Sequence, residues 1–419
     1  MPSGTPLGAP GATRPLLLAG ARLTDGQAVD VLVGGGRIER VAAAGRLEAA
    51  ERLDLGGYLL LPAPVEPHAH LDEAFGADPD AVDAPETAEA VRRRITEAAL
   101  LGLGYGAVVQ RTQVRIGGAR PLARLEAALQ AGRSLHGLLE LHVVALPGTR
   151  PGTLPVGPPG GEGPQQRALL REALSMGAHA VGGCPDLDPD PVGWVRAVTA
   201  LAAESGSPLD LHTDAVDPVR FGRLLDALAG SPVPVTLGPC PGLGLLTGDE
   251  LARVADRLAR AGISLTCLPQ GERCTGTATA AHPARPRLPV GALRAAGVTV
   301  AAGSGALRDR SDPVGRPDPL EAAFLLAASG SLDPEAAYQA VSAQARQLLG
   351  LPPVRVSPGA PADLLAVRGT DLHGVLSGGH SRIVLHAGRI VSRTSAVREY
   401  ADADGPAVPR QGHRPGPAR

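Results

Sequence analysis

Residues 59–75 read LLLPAPVEPHAHLDEAF, and the order of residue types in that stretch decides the fold. An apolar run leads into two histidines, His68 and His70, separated by one residue. In an extended strand alternate side chains share a face, so both imidazoles project to the same side. Seven more apolar, strand-like runs follow, at 107–116, 137–146, 179–187, 208–216, 233–240, 263–269 and 298–304. Between them lie segments such as PETAEAVRRRITEAAL (85–100) and DELARVADRLARA (249–261). Their apolar residues recur at three- and four-residue spacing, and several begin at Pro or Asp, as helices do. Eight such strand–helix units predict a (β/α)8 TIM-type barrel over residues 62–349. The alternative, a doubly wound open sheet, lacks a Gly-rich phosphate loop after the first strand.

The two ends of the chain have a different texture. Residues 15–61 and 350–395 are short β pieces bounded by Gly, Pro and Asp, the signals of strands and hairpins. They predict one composite β-sandwich domain built from both chain ends. Residues 1–14 are predicted to be flexible, and the Pro-, Gly- and polar-rich tail at 400–419 disordered.

Composition narrows the chemistry. The chain has 419 residues, and all 40 basic residues are Arg. Without lysine there is no Schiff base, no P-loop lysine and no carbamylated lysine bridging two metals. A net charge of −2 with no basic stripe argues against nucleic acid. Cys184, Cys240, Cys267 and Cys274 are widely spaced without a C-x-x-C pair, so neither a disulfide framework nor a zinc finger is expected. No apolar run approaches the ~20 residues needed to cross a bilayer. The N-terminus lacks a basic segment ahead of a long apolar one, so a cytoplasmic protein is expected.

Barrels carry their functional groups at the C-terminal ends of the strands. Reading those ends gives His68 and His70, Gln113 and Arg115, His142, Cys184 and Asp186, His212 to Asp214, Pro239 and Cys240, Gln270, then Ser304 and Gly305. Singly, each histidine reads as an ordinary, partly buried polar residue. An H-x-H pair ending the first strand, joined by His212 from across the barrel, instead predicts ligands for one divalent metal ion, zinc or iron.

The elements VEPHAHLDEA, LHVVALPG, GAHAVGG, LDLHTD and GAPADLLAV…VLHAGRIV resemble the amidohydrolase superfamily. Within it they look like the branch of cytosine deaminase and N-isopropylammelide aminohydrolase. The resemblance runs from about residue 16 to 393. It implies a single metal held by His68, His70 and His212, and hydrolytic deamination of a small cyclic nitrogen-containing molecule. Several positions depart from the family's pattern. The proton-shuttling glutamate reads Ala215, the histidine after strand 6 reads Pro239, and the metal-binding aspartate after strand 8 reads Gly305. The ring-contacting glutamine falls on His142, which becomes the candidate substrate-binding residue. The strand-2 motif His-Val-Asp reads Gln113-Val114-Arg115.

Two readings follow. One is a metal-dependent hydrolase of C–N bonds in a small cyclic amidine or amide, with Asp214 as substitute base. The other is a non-catalytic homologue that binds a small ligand or a partner protein. Self-association into a homo-oligomer is compatible with both. If the site is merely eroded, restoring Glu, His and Asp at 215, 239 and 305 is expected to raise metal affinity.

Overall fold

Asp-Pro dipeptides punctuate the chain, and each of four starts a helix. Asp190, Asp217, Asp318 and Asp333 are the N-caps of helices Pro191–Ser205, Pro218–Leu228, Pro319–Ala328 and Pro334–Val341. Each aspartate accepts hydrogen bonds from amides of the first turn, while the proline supplies a fixed φ where no amide donor is needed. A computed structural model describes residues 14–76, 86–147, 163–271, 286–310 and 312–397. The segments expected to be flexible or disordered lie outside these residues, Arg14 apart.

The N-terminal strands are β1 (Leu16–Arg22), β2 (Ala28–Gly34), β3 (Arg37–Ala43), β4 (Glu51–Asp54) and β5 (Tyr58–Pro62). The barrel strands follow: β6 (Val65–Ala69), β7 (Val109–Ile116), β8 (Glu140–Pro147), β9 (Ala180–Gly183), β10 (Leu209–Thr213), β11 (Val235–Pro239), β12 (Ser264–Cys267) and β13 (Val300–Ala302). Each barrel strand pairs in parallel with the next, in chain order. Helices between them cover the outside, and Leu, Val, Ala and the single Trp194 fill the layer between helices and strands. Closure falls just beyond β13. The amide of Gly305 donates to the His68 carbonyl (3.0 Å), and the amide of His70 donates to the Gly305 carbonyl (3.1 Å). The predicted (β/α)8 barrel is therefore the observed one.

The last strands are β14 (Leu364–Arg368), β15 (Arg382–His386) and β16 (Arg389–Thr394). They join the N-terminal strands in one mixed sheet of order β16-β15-β14-β5-β1-β2-β3, with β4 also paired to β1. The junction of the two chain ends is the antiparallel β5–β14 pair, Leu59 opposite Val367. The small β domain expected from both chain ends is thus present, hydrogen-bonded as one continuous sheet.

A buried bidentate ion pair ties sheet to barrel. Arg382 on β15 grips both oxygens of Asp318, the cap of helix Pro319–Ala328, at 2.7 and 2.8 Å. Its remaining donors reach the carbonyls of Gly379 and Tyr105. Removing one partner of a buried pair strands the other charge. Arg382→Met is expected to lower unfolding free energy by about 3–5 kcal/mol, read from urea denaturation curves.

Candidate metal centre

Alternation along β6 sends Glu66 and His68 into the barrel, with His70 just past its end, while β10 sends Asp210 and His212 inward from the opposite side. The three imidazoles meet. Ring centroids lie 4.7 Å (His68–His212), 5.2 Å (His70–His212) and 5.3 Å (His68–His70) apart. One nitrogen of each lies within 4.8 Å of the others, and all three residues are buried. His70 Nε2 and His212 Nε2 are 3.3 Å apart, and His68 Nε2 is buried without a hydrogen-bond partner. Two nitrogens bound tetrahedrally at zinc, each at about 2.0–2.1 Å, would be about 3.3–3.4 Å apart. The donor set thus fits a small divalent cation.

Electrostatics keep these rings neutral. Burial, and then His212, hold His68 and His70 well below the usual histidine range; His70 and Arg111 add to the effect on His68, and Arg115 to that on His70. Burial also lowers His212, with Asp210 opposing and Arg115 and Arg111 assisting. A neutral imidazole keeps the lone pair that a metal requires.

Beneath the trio the barrel interior is polar. Arg111 and Gln113 enter from β7 to meet Asp210, all three buried. Glu66 accepts from the amides of Ser304 (2.9 Å) and His68 (3.1 Å), and burial pushes it up to about 7 against those bonds. Glycines make the room. A Cβ at Gly303 would lie 2.3 Å from Glu66 Oε1, and one at Gly182 would lie 3.1 Å from Gln113 Oε1.

At the rim, Glu73 pairs with Arg115 at 2.6 Å. Burial and neighbouring Asp72 push Glu73 up to about 7, against the pull of Arg115. Asp72 and Glu86 share Arg124, and Glu86 also pairs with Arg94. Asp214 is half-buried and serves its own turn, Oδ1 accepting from the Val216 amide while its amide donates to Asp186 Oδ2.

His142 is set apart from the trio. It pairs with Arg111, two residues short of the level at which Gln113 meets His68. Its ring stacks on His179 at 4.7 Å, and its Nε2 faces Glu140 at 3.8 Å. The ring-contacting position that the resemblance assigns to His142 thus lies two residues below the level of His68. Gln270 exchanges hydrogen bonds with the backbone of Arg316 and so braces a loop.

Ala215 and Gly305 have φ of +54° and +75°, the left-handed region. A Cβ at Gly305 would also lie 3.0 Å from Leu268 Cδ1. Gly305 is thus shaped by barrel closure as well as by the absence of a side chain.

Closed parallel strands thus carry three convergent imidazoles at their C-terminal ends, a donor set suited to one divalent cation. The sequence pattern of the Amidohydrolase family matches residues 148–391, and the chain belongs to that family. It is 30% identical over 253 residues to a pterin deaminase of Rhizobium rhizogenes (strain K84), covering 56% of this chain and 55% of that protein. It is 25% identical over 223 residues to the N-isopropylammelide isopropyl amidohydrolase of Pseudomonas sp. (strain ADP), covering 47% of this chain and 52% of that one. These matches span about half the length of the curated relatives. Among solved structures, N-isopropylammelide isopropylaminohydrolase from Burkholderia multivorans superposes with a TM-score of 0.77 at 27% identity, over 91% of this chain and 99% of that one. A 5-methylcytosine deaminase from Klebsiella pneumoniae shares the fold, with a TM-score of 0.78 at 21% identity over 92% and 100% of the two chains.

Two outcomes follow from this geometry. Gly305→Asp is expected to cost about 1–3 kcal/mol of stability for a non-glycine residue in the left-handed region, and to leave zinc affinity no higher, checked by melting and chelator competition. The second concerns His179, which burial and His142 lower to about 4. Unfolded, this histidine takes its proton near 6.5, so its contribution is present above that pH and is lost as pH falls toward 4. In His179→Phe, urea unfolding at pH 6.5, 5.5 and 4.5 should show a shallower decline, by at most about 1.4 kcal/mol per pH unit.

Proposed function

We propose that the chain is a metal-dependent hydrolase of C–N bonds in a small cyclic amidine or amide. The observation that carries this reading is the trio of buried histidines, one ring nitrogen of each within 4.8 Å of the others, with His68 Nε2 free of any other hydrogen-bond partner. His68, His70 and His212 would hold one zinc or iron ion, which when bound lowers the pKa of water toward ~7 and polarises the bond to be cut. The chain's own residues supply the surroundings. Burial of the trio excludes bulk water and strengthens electrostatic interactions there. Arg115, about one-third exposed and paired with Glu73, is the guanidinium at the rim offered to a polar ring substituent. Glu73 changes protonation near neutral pH and is the carboxyl proposed to exchange protons at the mouth, with Asp214 as the second candidate base. The relatives named for pterin, isopropylammelide and methylcytosine support a fused or single nitrogen heterocycle as substrate.

The second reading, a non-catalytic binder of such a ring or of a partner protein, is favoured by Ala215, Pro239 and Gly305. None of these side chains can move a proton, and loss of one general acid or base alone typically costs ~10²–10⁴ in rate.

Metal content and turnover separate the two. Purified protein is expected to carry about one zinc or iron per chain, by the three-ligand logic of such sites. Loaded with zinc or iron, it should hydrolyse at least one member of a panel of pterins, aminopyrimidines, triazines and cyclic amides. His212→Ala should abolish that turnover and weaken metal binding beyond the ~10–100-fold typical of losing a group that only orients a ligand. One metal per chain with no hydrolysis across the panel would favour the binder.

A further inference from the structure

We propose that Asp210 is a positioning residue for the histidine trio, setting the tautomer of His68; this rests on the metal-binding reading above. Asp210 sits on β10, two residues before His212, and reaches across the barrel to β7. Its Oδ2 collects three neighbours. Arg111 Nη2 lies 3.0 Å away as an ion pair, Gln113 Nε2 donates to it at 2.5 Å, and His68 Nδ1 lies 3.8 Å away. Its Oδ1 is buried with no hydrogen-bond partner among the described residues. Arg111 also donates from Nε to the carbonyl of Pro67 (2.9 Å), the residue before His68. His68, Arg111, Gln113 and Asp210 are each at least 97% buried, so what one of them does is fixed by the others and not by solvent.

A neutral imidazole carries one N–H. If the Nε2 lone pair of His68 is to face His70 and His212, the proton must be on Nδ1. Two groups of opposite character flank Nδ1, the Gln113 amide donor at 3.5 Å and the Asp210 carboxylate at 3.8 Å. Asp210 also holds the Gln113 carboxamide with its NH2 end turned inward, because a carboxylate accepts from NH2 and repels the amide oxygen. Of the two neighbours, only the carboxylate can accept Nδ1–H. Without it, the amide donor alone faces Nδ1 and favours the reverse tautomer, whose Nε2–H cannot ligate. Arg111 supplies the compensating charge for a carboxyl group at this depth.

A purely architectural account would make Asp210 only the counter-charge of Arg111, linking β7 to β10. The two accounts separate when charge balance is kept. Zinc affinity at pH 7.5 by competition with a chromophoric chelator, and melting of the metal-free protein, are measured for wild type, Asp210→Leu and Asp210→Leu/Arg111→Met, which leave no acceptor at position 210. Both variants are expected to bind zinc about 10–100-fold more weakly than wild type, while the double variant melts close to wild type. Wild-type zinc affinity in the double variant would overturn the proposal, since Asp210 would then serve only Arg111. Unchanged affinity in both variants would overturn it as well. A wild-type chain that binds no zinc would overturn both this proposal and the metal-binding reading beneath it.

Discussion

Two backbone hydrogen bonds, from Gly305 to the carbonyl of His68 and from His70 to the carbonyl of Gly305, close the ring of strands. They fall on either side of Ala69, so the same contact that completes the barrel fixes the alternation presenting His68 and His70 together. With that edge registered, β10 is opposite and His212 has one place to point. The chemistry of the mouth is thus a by-product of strand closure. A residue with a side chain at 305 has to satisfy the left-handed backbone there and the methyls of Leu268 before it can reach any ligand position.

Closure places polar groups where water cannot follow. A barrel core is ordinarily layers of branched aliphatic side chains, yet this one holds Glu66, Arg111, Gln113 and Asp210 below its histidines. Each is costly alone and tolerable in company. Arg111 and Asp210 cancel, Gln113 bridges Asp210 toward His68, and Glu66 takes backbone donors from Ser304 and His68. Gly182 and Gly303 leave the volume these longer side chains occupy. The interior is a support for the trio and is bound to the same strands.

Much of this could be read from the chain. Eight apolar runs separated by helical spacing specify the barrel, Asp-Pro marks helix starts, and the H-x-H pair with His212 marks the convergence point. The support beneath was harder to see, because Arg111, Gln113 and Asp210 are scattered inside stretches that read as strands, such as VQRTQVRI and LDLHT. The signal was there in the alternation. Arg111, Gln113 and Arg115 occupy every second position of one strand, and polar residues at that period in a barrel face its axis. His142 shows the complementary limit, since periodicity gives the side a residue faces and not its depth along the strand. Asp214 lies just past β10, where its oxygen is taken up by its own turn.

The pairing of β5 with β14 has a consequence for how the molecule comes into being. A sheet whose central hydrogen bonds join Leu59 to Val367 has to wait, during synthesis, for almost all of the intervening polypeptide to leave the ribosome. Until then the edge of β5 that β14 covers has no partner strand. Such long-range pairing also makes for slow maturation, because two segments far apart in the chain have to find each other before the sheet is whole.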